Sequence, residues 1–178
     1  MNRFVIISGC SGGGKSTLIA ELKQRGYSIV EEPGRRIVAD LLATRQIDDL
    51  PWINLAAFAH RAIQLSLQDL QKASETDGWV FFDRGLIDAA SALEYATRQP
   101  VVRYYAPIRF FPIVFATPPW EELFHPDSER QHLFAEALEE YDRLQEAYRS
   151  LGYILIELPR VSVAQRADFL LDQLEKMK

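Results

Sequence analysis

The stretch Gly9-Cys10-Ser11-Gly12-Gly13-Gly14-Lys15-Ser16-Thr17 constrains the fold of this chain more than any other. It follows the apolar run Phe4-Val5-Ile6-Ile7 and precedes a segment, residues 17–25, whose Leu18, Ile19 and Leu22 recur at helical spacing before Gly26. A strand that empties into a glycine loop and continues as a helix aims several backbone N–H groups, and the positive end of the helix dipole, at one point. Gly9, Gly14, Lys15 and Ser16 fill the spacing G-x-x-x-x-G-K-S in full. At that spacing the loop cradles phosphates, the lysine reaches the β- and γ-phosphates, and the hydroxyl meets Mg²⁺. The expected nucleotide-binding residues are therefore Gly9, Ser11, Gly12, Gly13, Gly14, Lys15, Ser16 and Thr17, and the expected cofactors are ATP and Mg²⁺, with Ser16 a metal ligand.

Four more short apolar runs, at residues 27–30, 79–82, 113–116 and 153–158, read as strands. Helical patterns lie between them: one through Ile37, Leu41 and Leu42, a longer one over 54–73, and one from 86 to about 95. Ser128 and Gln131 have the form of a capping box opening a long helix through Leu138, Tyr141 and Leu144 to Gly152. Ser162 and Gln165 repeat that form ahead of Leu170, Leu171 and Leu174. Residues 99–112, with three prolines and several arginines and aromatics, read as loop. Strands alternating with helices predict an α/β three-layer sandwich, a five-stranded, mostly parallel sheet with helices on both faces, because parallel neighbours need crossover connections. At 178 residues, without repeat or linker, the chain is expected to form one domain over 1–178.

Composition narrows the function classes. A net charge of −5 argues against sequence-independent nucleic-acid binding, so no nucleic-acid partner is expected. No apolar run is long enough to span a bilayer and the N-terminus lacks a secretory h-region, so a cytoplasmic location and no membrane partner are expected. A single cysteine and three scattered histidines leave no disulfide framework and no zinc cluster. That cysteine, Cys10, stands in the loop before a helix N-terminus, where either a lowered thiol pKa with nucleotide-gated oxidation or a small residue at an unconstrained position is expected.

The strand at 79–82 ends in Asp83, which has the form of the second phosphate-site strand and puts a carboxylate near the metal. With these segments in order, the chain resembles the P-loop NTPases, and within them the kinases of small molecules. Val30-Glu31-Glu32-Pro33 is similar to the Glu-Pro of deoxynucleoside kinases, Phe82-Asp83-Arg84-Gly85 to their acid-arginine segment, and Asp127 to Arg130 to their arginine-bearing lid. The order of motifs across most of the chain resembles the AAA-type ATPase domains grouped with bacterial nicotinamide-riboside kinase domains. The resemblance implies a helical lid and catalytic roles for Lys15, Glu32, Asp83, Arg84 and Arg130: Glu32 to orient the acceptor hydroxyl, Asp83 for the metal, and the arginines for developing charge. Glu31 is second choice to Glu32, and Arg35 and Arg36 are candidates for an anionic substrate group. Arg103, Tyr104, Tyr105 and Arg109 lie where a substrate pocket could form, and Trp120 is expected to pack under the lid in preference to the alternative of stacking on adenine.

The reaction expected is transfer of phosphate from Mg-ATP to a hydroxyl of a small metabolite, nucleoside-like or similar, the partner being that acceptor. A homodimer stays open. The alternative is a nucleotide-controlled regulatory ATPase or GTPase acting through a protein partner. The acid after the second strand favours the kinase, since a bare switch has no need of it, and the lack of a guanine-reading motif favours ATP.

Overall fold

A computed structural model describes residues 3–10, 12–121 and 134–177. Five strands form one sheet in the order β2-β3-β1-β4-β5: β1 (Phe4–Gly9), β2 (Ser28–Val30), β3 (Val80–Asp83), β4 (Ile113–Thr117) and β5 (Ile154–Glu157). Every pairing is parallel, with Ile6 opposite both Phe82 and Val114. The helices are α1 (Lys15–Gln24), α2 (Pro33–Thr44), α3 (Leu55–Ala73), α4 (Leu86–Thr97), α5 (Phe134–Ser150) and α6 (Val163–Glu175).

The central strands are apolar throughout because side chains alternate between two covered faces. Val5, Ile7, Phe81, Ile113 and Phe115 point to one face and pack with Leu18 and Leu22 of α1 and Leu170 and Leu174 of α6. Ile6, Val80, Phe82 and Val114 point to the other and pack with Ile37, Leu41, Ile63, Leu86 and Tyr148 from α2 to α5. Each large side chain buried this way contributes about 1.5–3 kcal/mol of transfer free energy.

Strand order also fixes where a ligand goes. From β1 the chain runs through α1 toward β2 and the sheet's edge; from β3 it runs through α4 toward β4 on β1's other side. The connections diverge around β1, opening a crevice at its carboxyl end.

Several local expectations shift. Leu42 (49% exposed) and Leu138 (42% exposed) face outward, so their helices' apolar stripes are narrower than the pattern suggested. Residues 99–112 contain a 3-10 turn, Val102–Tyr105, and end in the buried pair Phe110 and Phe111. The capping box at Ser128 and Gln131 and the helical lid lie outside the described residues.

Candidate functional site

At the carboxyl end of β1 the loop turns into α1 with Gly14 at the N-cap, φ 75°. Lys15, the first residue of α1, is buried, and its Nζ donates to the carbonyls of Cys10 (2.8 Å) and Gly9 (3.2 Å). Burial, then the nearby Arg84 charge, pushes its pKa down. The end of β4 presses on the loop: a Cβ on Gly9 would lie 2.4 Å from the Thr117 carbonyl oxygen, and one on Gly13 would lie 2.7 Å from Thr117 Oγ1. The expected binding residues Gly12, Gly14, Lys15, Ser16 and Thr17 line a cavity of about 490 Å³, within the range of small-molecule sites. Gly9 and Gly13 shape the loop from behind, and Ser11 lies outside the described residues.

The far wall of this cavity combines Trp120 and Ser162, which the sequence singled out for other roles, with Arg166 and Val161, which no motif flagged. Arg166 of α6 is buried and donates to the Gly13 carbonyl (3.3 Å), and its guanidinium carbon lies 5.8 Å from the centre of the Trp120 ring. Val161 and Ser162 continue the wall, and Arg160 donates to the Pro119 carbonyl (2.7 Å), tying this segment to the end of β4. Trp120 is thus a wall of the cavity; the only signal for Arg166 was its place on the first turn of a helix that follows the last strand.

Asp83 ends β3 and is buried, with Oδ1 lacking any hydrogen-bond partner among the described residues. Burial raises its pKa to about 6, against the opposing pull of Lys15. A buried orphan carboxylate oxygen calls for a partner, and a hard oxygen donor beside a phosphate cradle suits Mg²⁺, which takes one or two carboxylates plus phosphate. Among the described residues there is no group of three His, Cys, Asp or Glu able to hold a metal; the exposed Ser16 hydroxyl and Asp83 are the donors that fit one here.

Arg84 follows in a left-handed conformation, φ 61°, uncommon for a residue with a side chain. Its guanidinium bonds Glu140 of α5 (2.7 Å), lies 3.3 Å from Glu32 and 4.0 Å from Asp88. Burial alone would lower its pKa, yet Glu140, Glu32 and Asp88 together raise it well above the usual arginine value. In Glu140 the burial that favours the neutral acid is outweighed by Arg84, and the pKa falls. Glu32, at the N-cap of α2, is also bonded by Arg35 (3.1 Å). Glu31 instead pairs at the surface with Lys23 (3.6 Å), and Arg36 pairs with Asp69 (2.7 Å).

Asp88 holds this centre together. It accepts from Ser8 at the end of β1 (2.5 Å), Tyr148 of α5 (2.5 Å) and the Gly85 amide (3.1 Å). Glu32, Arg84, Asp88, Glu140 and Arg143 line a second, small cavity of about 80 Å³.

The substrate pocket expected around residues 103–109 is not found there, and of the two readings of Cys10 the activated thiol fails while the small buried residue stands. Tyr104 is 68% exposed, beside Arg103, and Arg109 stacks on Tyr153 and donates to the Leu151 carbonyl, so neither group lines the cavity at Glu32 and Arg84. Tyr105 packs against the core. Cys10 is fully buried among Ala116, Ala137 and Tyr141, and burial pushes its thiol pKa up, the reverse of an activated thiol. Arg130 lies outside the described residues.

The sequence profile of the AAA domain family matches residues 4–166. None of the curated proteins matches the chain in sequence. Among solved structures, the fold is similar to deoxyadenosine kinase from M. mycoides with bound dATP, at TM-score 0.59 and 17% identity over 98% of this chain and 100% of that one. The same enzyme with bound dCTP gives TM-score 0.59 and 18% identity over 97% and 98%. Shikimate kinase from Acinetobacter baumannii in complex with shikimate gives TM-score 0.59 and 15% identity over 100% and 96%.

Proposed function

The chain belongs to the AAA domain family, and from that premise we propose that it is a kinase that transfers the γ-phosphoryl group of Mg-ATP to a hydroxyl of a small metabolite. The observation that carries this is the pairing of two cavities, about 490 Å³ at the glycine loop, lined by Lys15, and about 80 Å³ at Glu32, lined by Arg84. A nucleotide switch needs the first cavity only; a group transfer needs a second chamber for the acceptor. The structural relatives carry names of kinases with small acceptors, a nucleoside and shikimate.

In this function the loop amides and Lys15 hold the phosphates, Lys15 leaving the Gly9 and Cys10 carbonyls to do so. Ser16 and Asp83 would hold Mg²⁺, which supplies charge neutralisation on the phosphates. Glu32, flanked by Arg35 and Arg84, takes the proton of the acceptor hydroxyl as its oxygen bonds to the γ-phosphorus and ADP leaves. Arg84, and Arg130 from the segment before α5, neutralise the charge that develops. The enzyme works in the cytoplasm on a freely diffusing acceptor.

The test is ADP formation from Mg-ATP across a panel of hydroxylated metabolites. An acceptor-dependent rate is expected, and Glu32→Gln should lower it by about 10²–10⁴-fold with Mg-ATP affinity retained. Tight Mg-ATP binding with ADP formation indifferent to every acceptor would sink the proposal.

A further inference from the structure

The chamber at Glu32 and Arg84 is too small to hold a whole metabolite. About 80 Å³ is room for a few heavy atoms, well under the range of small-molecule sites. Beside it, between α4 and α5, lies a cavity of about 480 Å³ lined by Ser91, Tyr95, Arg98, Arg143 and Ser150 among others. Arg143 lines both cavities and is part of the wall they share.

That wall is unusual in charge. The Arg143 guanidinium carbon stacks on the Tyr95 ring at 4.2 Å, and Arg98 stacks on the same ring at 4.9 Å. Neither guanidinium has an ion-pair partner among the described residues, and Arg143 Nε is buried without a hydrogen bond. Of the nearby acids, Glu94 accepts from the amides of Val101 (2.7 Å) and Val102 (2.9 Å), Glu140 acts on Arg143 through space but is bonded by Arg84, and Glu139, which also acts on Arg143 through space, is exposed and forms no ion pair with it. Glu146, on the cavity rim, is exposed. Two cations gathered on one aromatic ring, one with a buried unused donor, are complementary to an oxyanion, which a guanidinium fork binds through two N–H groups. Arg143, half-buried and lowered in pKa by that burial, stands to gain most from such a partner.

Resting on the kinase function proposed above, we propose that the acceptor is an elongated hydroxylated anion. Its hydroxyl enters the small chamber at Glu32 and Arg84, and its carboxylate or phosphate sits on Arg143 and Arg98 beside Tyr95.

The test measures binding apart from transfer. Protein saturated with Mg-ADP, which fills the glycine loop, is titrated calorimetrically with two sets of probes. One set is glycerol, glycerate and glycerol 3-phosphate; the other is glucose, gluconate and glucose 6-phosphate. The expected result is saturable binding of an anion and at least tenfold weaker binding of its neutral counterpart; carboxylate and phosphate members identify which group is taken. Arg143→Gln should weaken the anion at least tenfold and Arg143→Lys less, with retained Mg-ADP binding reporting an intact fold. The proposal is overturned if neutral and anionic members bind alike, if no anion binds, or if Arg143→Gln binds the anion as tightly as wild type. Arg143-dependent anion binding without phosphate transfer from Mg-ATP to any anion would uphold the subsite and defeat the kinase function.

Discussion

Asp83 shows at single-residue scale how a site of this kind opposes the stability of its own fold. Its pKa is about 6 in the fold against 3.8 in a free chain, so folding takes up a proton between these values. The sign follows: well below pH 3.8 the group is neutral in both states and has no effect, its ionisation weakens the fold increasingly from there to about pH 6, and the loss is constant above. Asp83→Asn should therefore stabilise the protein in EDTA at pH 8 by on the order of 1–3 kcal/mol and by little at pH 4, while phosphate transfer is lost. Denaturant unfolding at the two pH values checks this; a pH-independent difference would mean that packing, not charge, sets the effect. Lys15, Glu32 and Asp83 were legible in the sequence because each stands at a fixed short offset from a strand end. Asp88, Glu140 and Arg166 were not, because side-chain bonds that place them reach 56 to 153 residues along the chain, as in Arg84 to Glu140 and Arg166 to Gly13, and neither was Arg143, whose stacking partner Tyr95 lies in another helix. Tyr104 misled for the same reason: composition marks an aromatic and basic segment but not the direction in which it faces.

Between elements, the loop after β1 is held from outside by the end of β4. Gly9, at φ 132°, could not carry a Cβ without meeting the Thr117 carbonyl oxygen at 2.4 Å, and a backbone atom has no rotamer by which to yield. Gly9→Ala combines overpacking against backbone with a disfavoured φ, and should destabilise by about 2–4 kcal/mol and abolish nucleotide binding. Gly26, also at positive φ (90°), has no atom within 4 Å of a would-be Cβ. Gly26→Ala should cost about 1 kcal/mol and leave nucleotide binding intact. Thermal unfolding with and without Mg-ATP separates the two; equal losses would show that φ alone governs both glycines. Sequence reading put the strands within a residue or two of their places, since strands buried on both faces are plain apolar runs. Ser162 likewise caps α6 by accepting from the Gln165 amide, while Asn54, which accepts from the Ala57 amide to cap α3, was not legible as a cap. The contact between β4 and the loop could not be read this way: it depends on strand order, and Thr117 looks like any turn-forming residue.

Over the whole molecule, the larger cavity joins layers that the sheet keeps apart. Its lining combines Lys15 to Thr17 of α1 and Arg166 of α6, from one face, with Arg35 of α2, from the other. A ligand there ties both helical layers to the carboxyl edge of the sheet, so its binding free energy should appear as global stability and not as a local ordering. At a nucleotide concentration 100-fold above its dissociation constant the gain is about 2.7 kcal/mol, which for a chain of 178 residues corresponds to a rise in Tm of roughly 5–10 °C. A non-hydrolysable ATP analogue with Mg²⁺ should produce that rise in wild type. Lys15→Met should abolish it, because the buried ammonium is the one side-chain cation on α1's first turn that can follow the phosphates. Arg166→Met should reduce it at equal analogue concentration by weakening the tie between α6 and the Gly13 carbonyl, while leaving acceptor-saturated turnover at saturating Mg-ATP near wild type, since Arg166 lines only the nucleotide cavity and not the acceptor chamber. Calorimetric scans of the three proteins decide the point. A rise that survives Lys15→Met would place the nucleotide elsewhere, and a turnover loss in Arg166→Met that no Mg-ATP concentration restores would assign that arginine to the transferring phosphoryl group instead of to the nucleotide's binding wall.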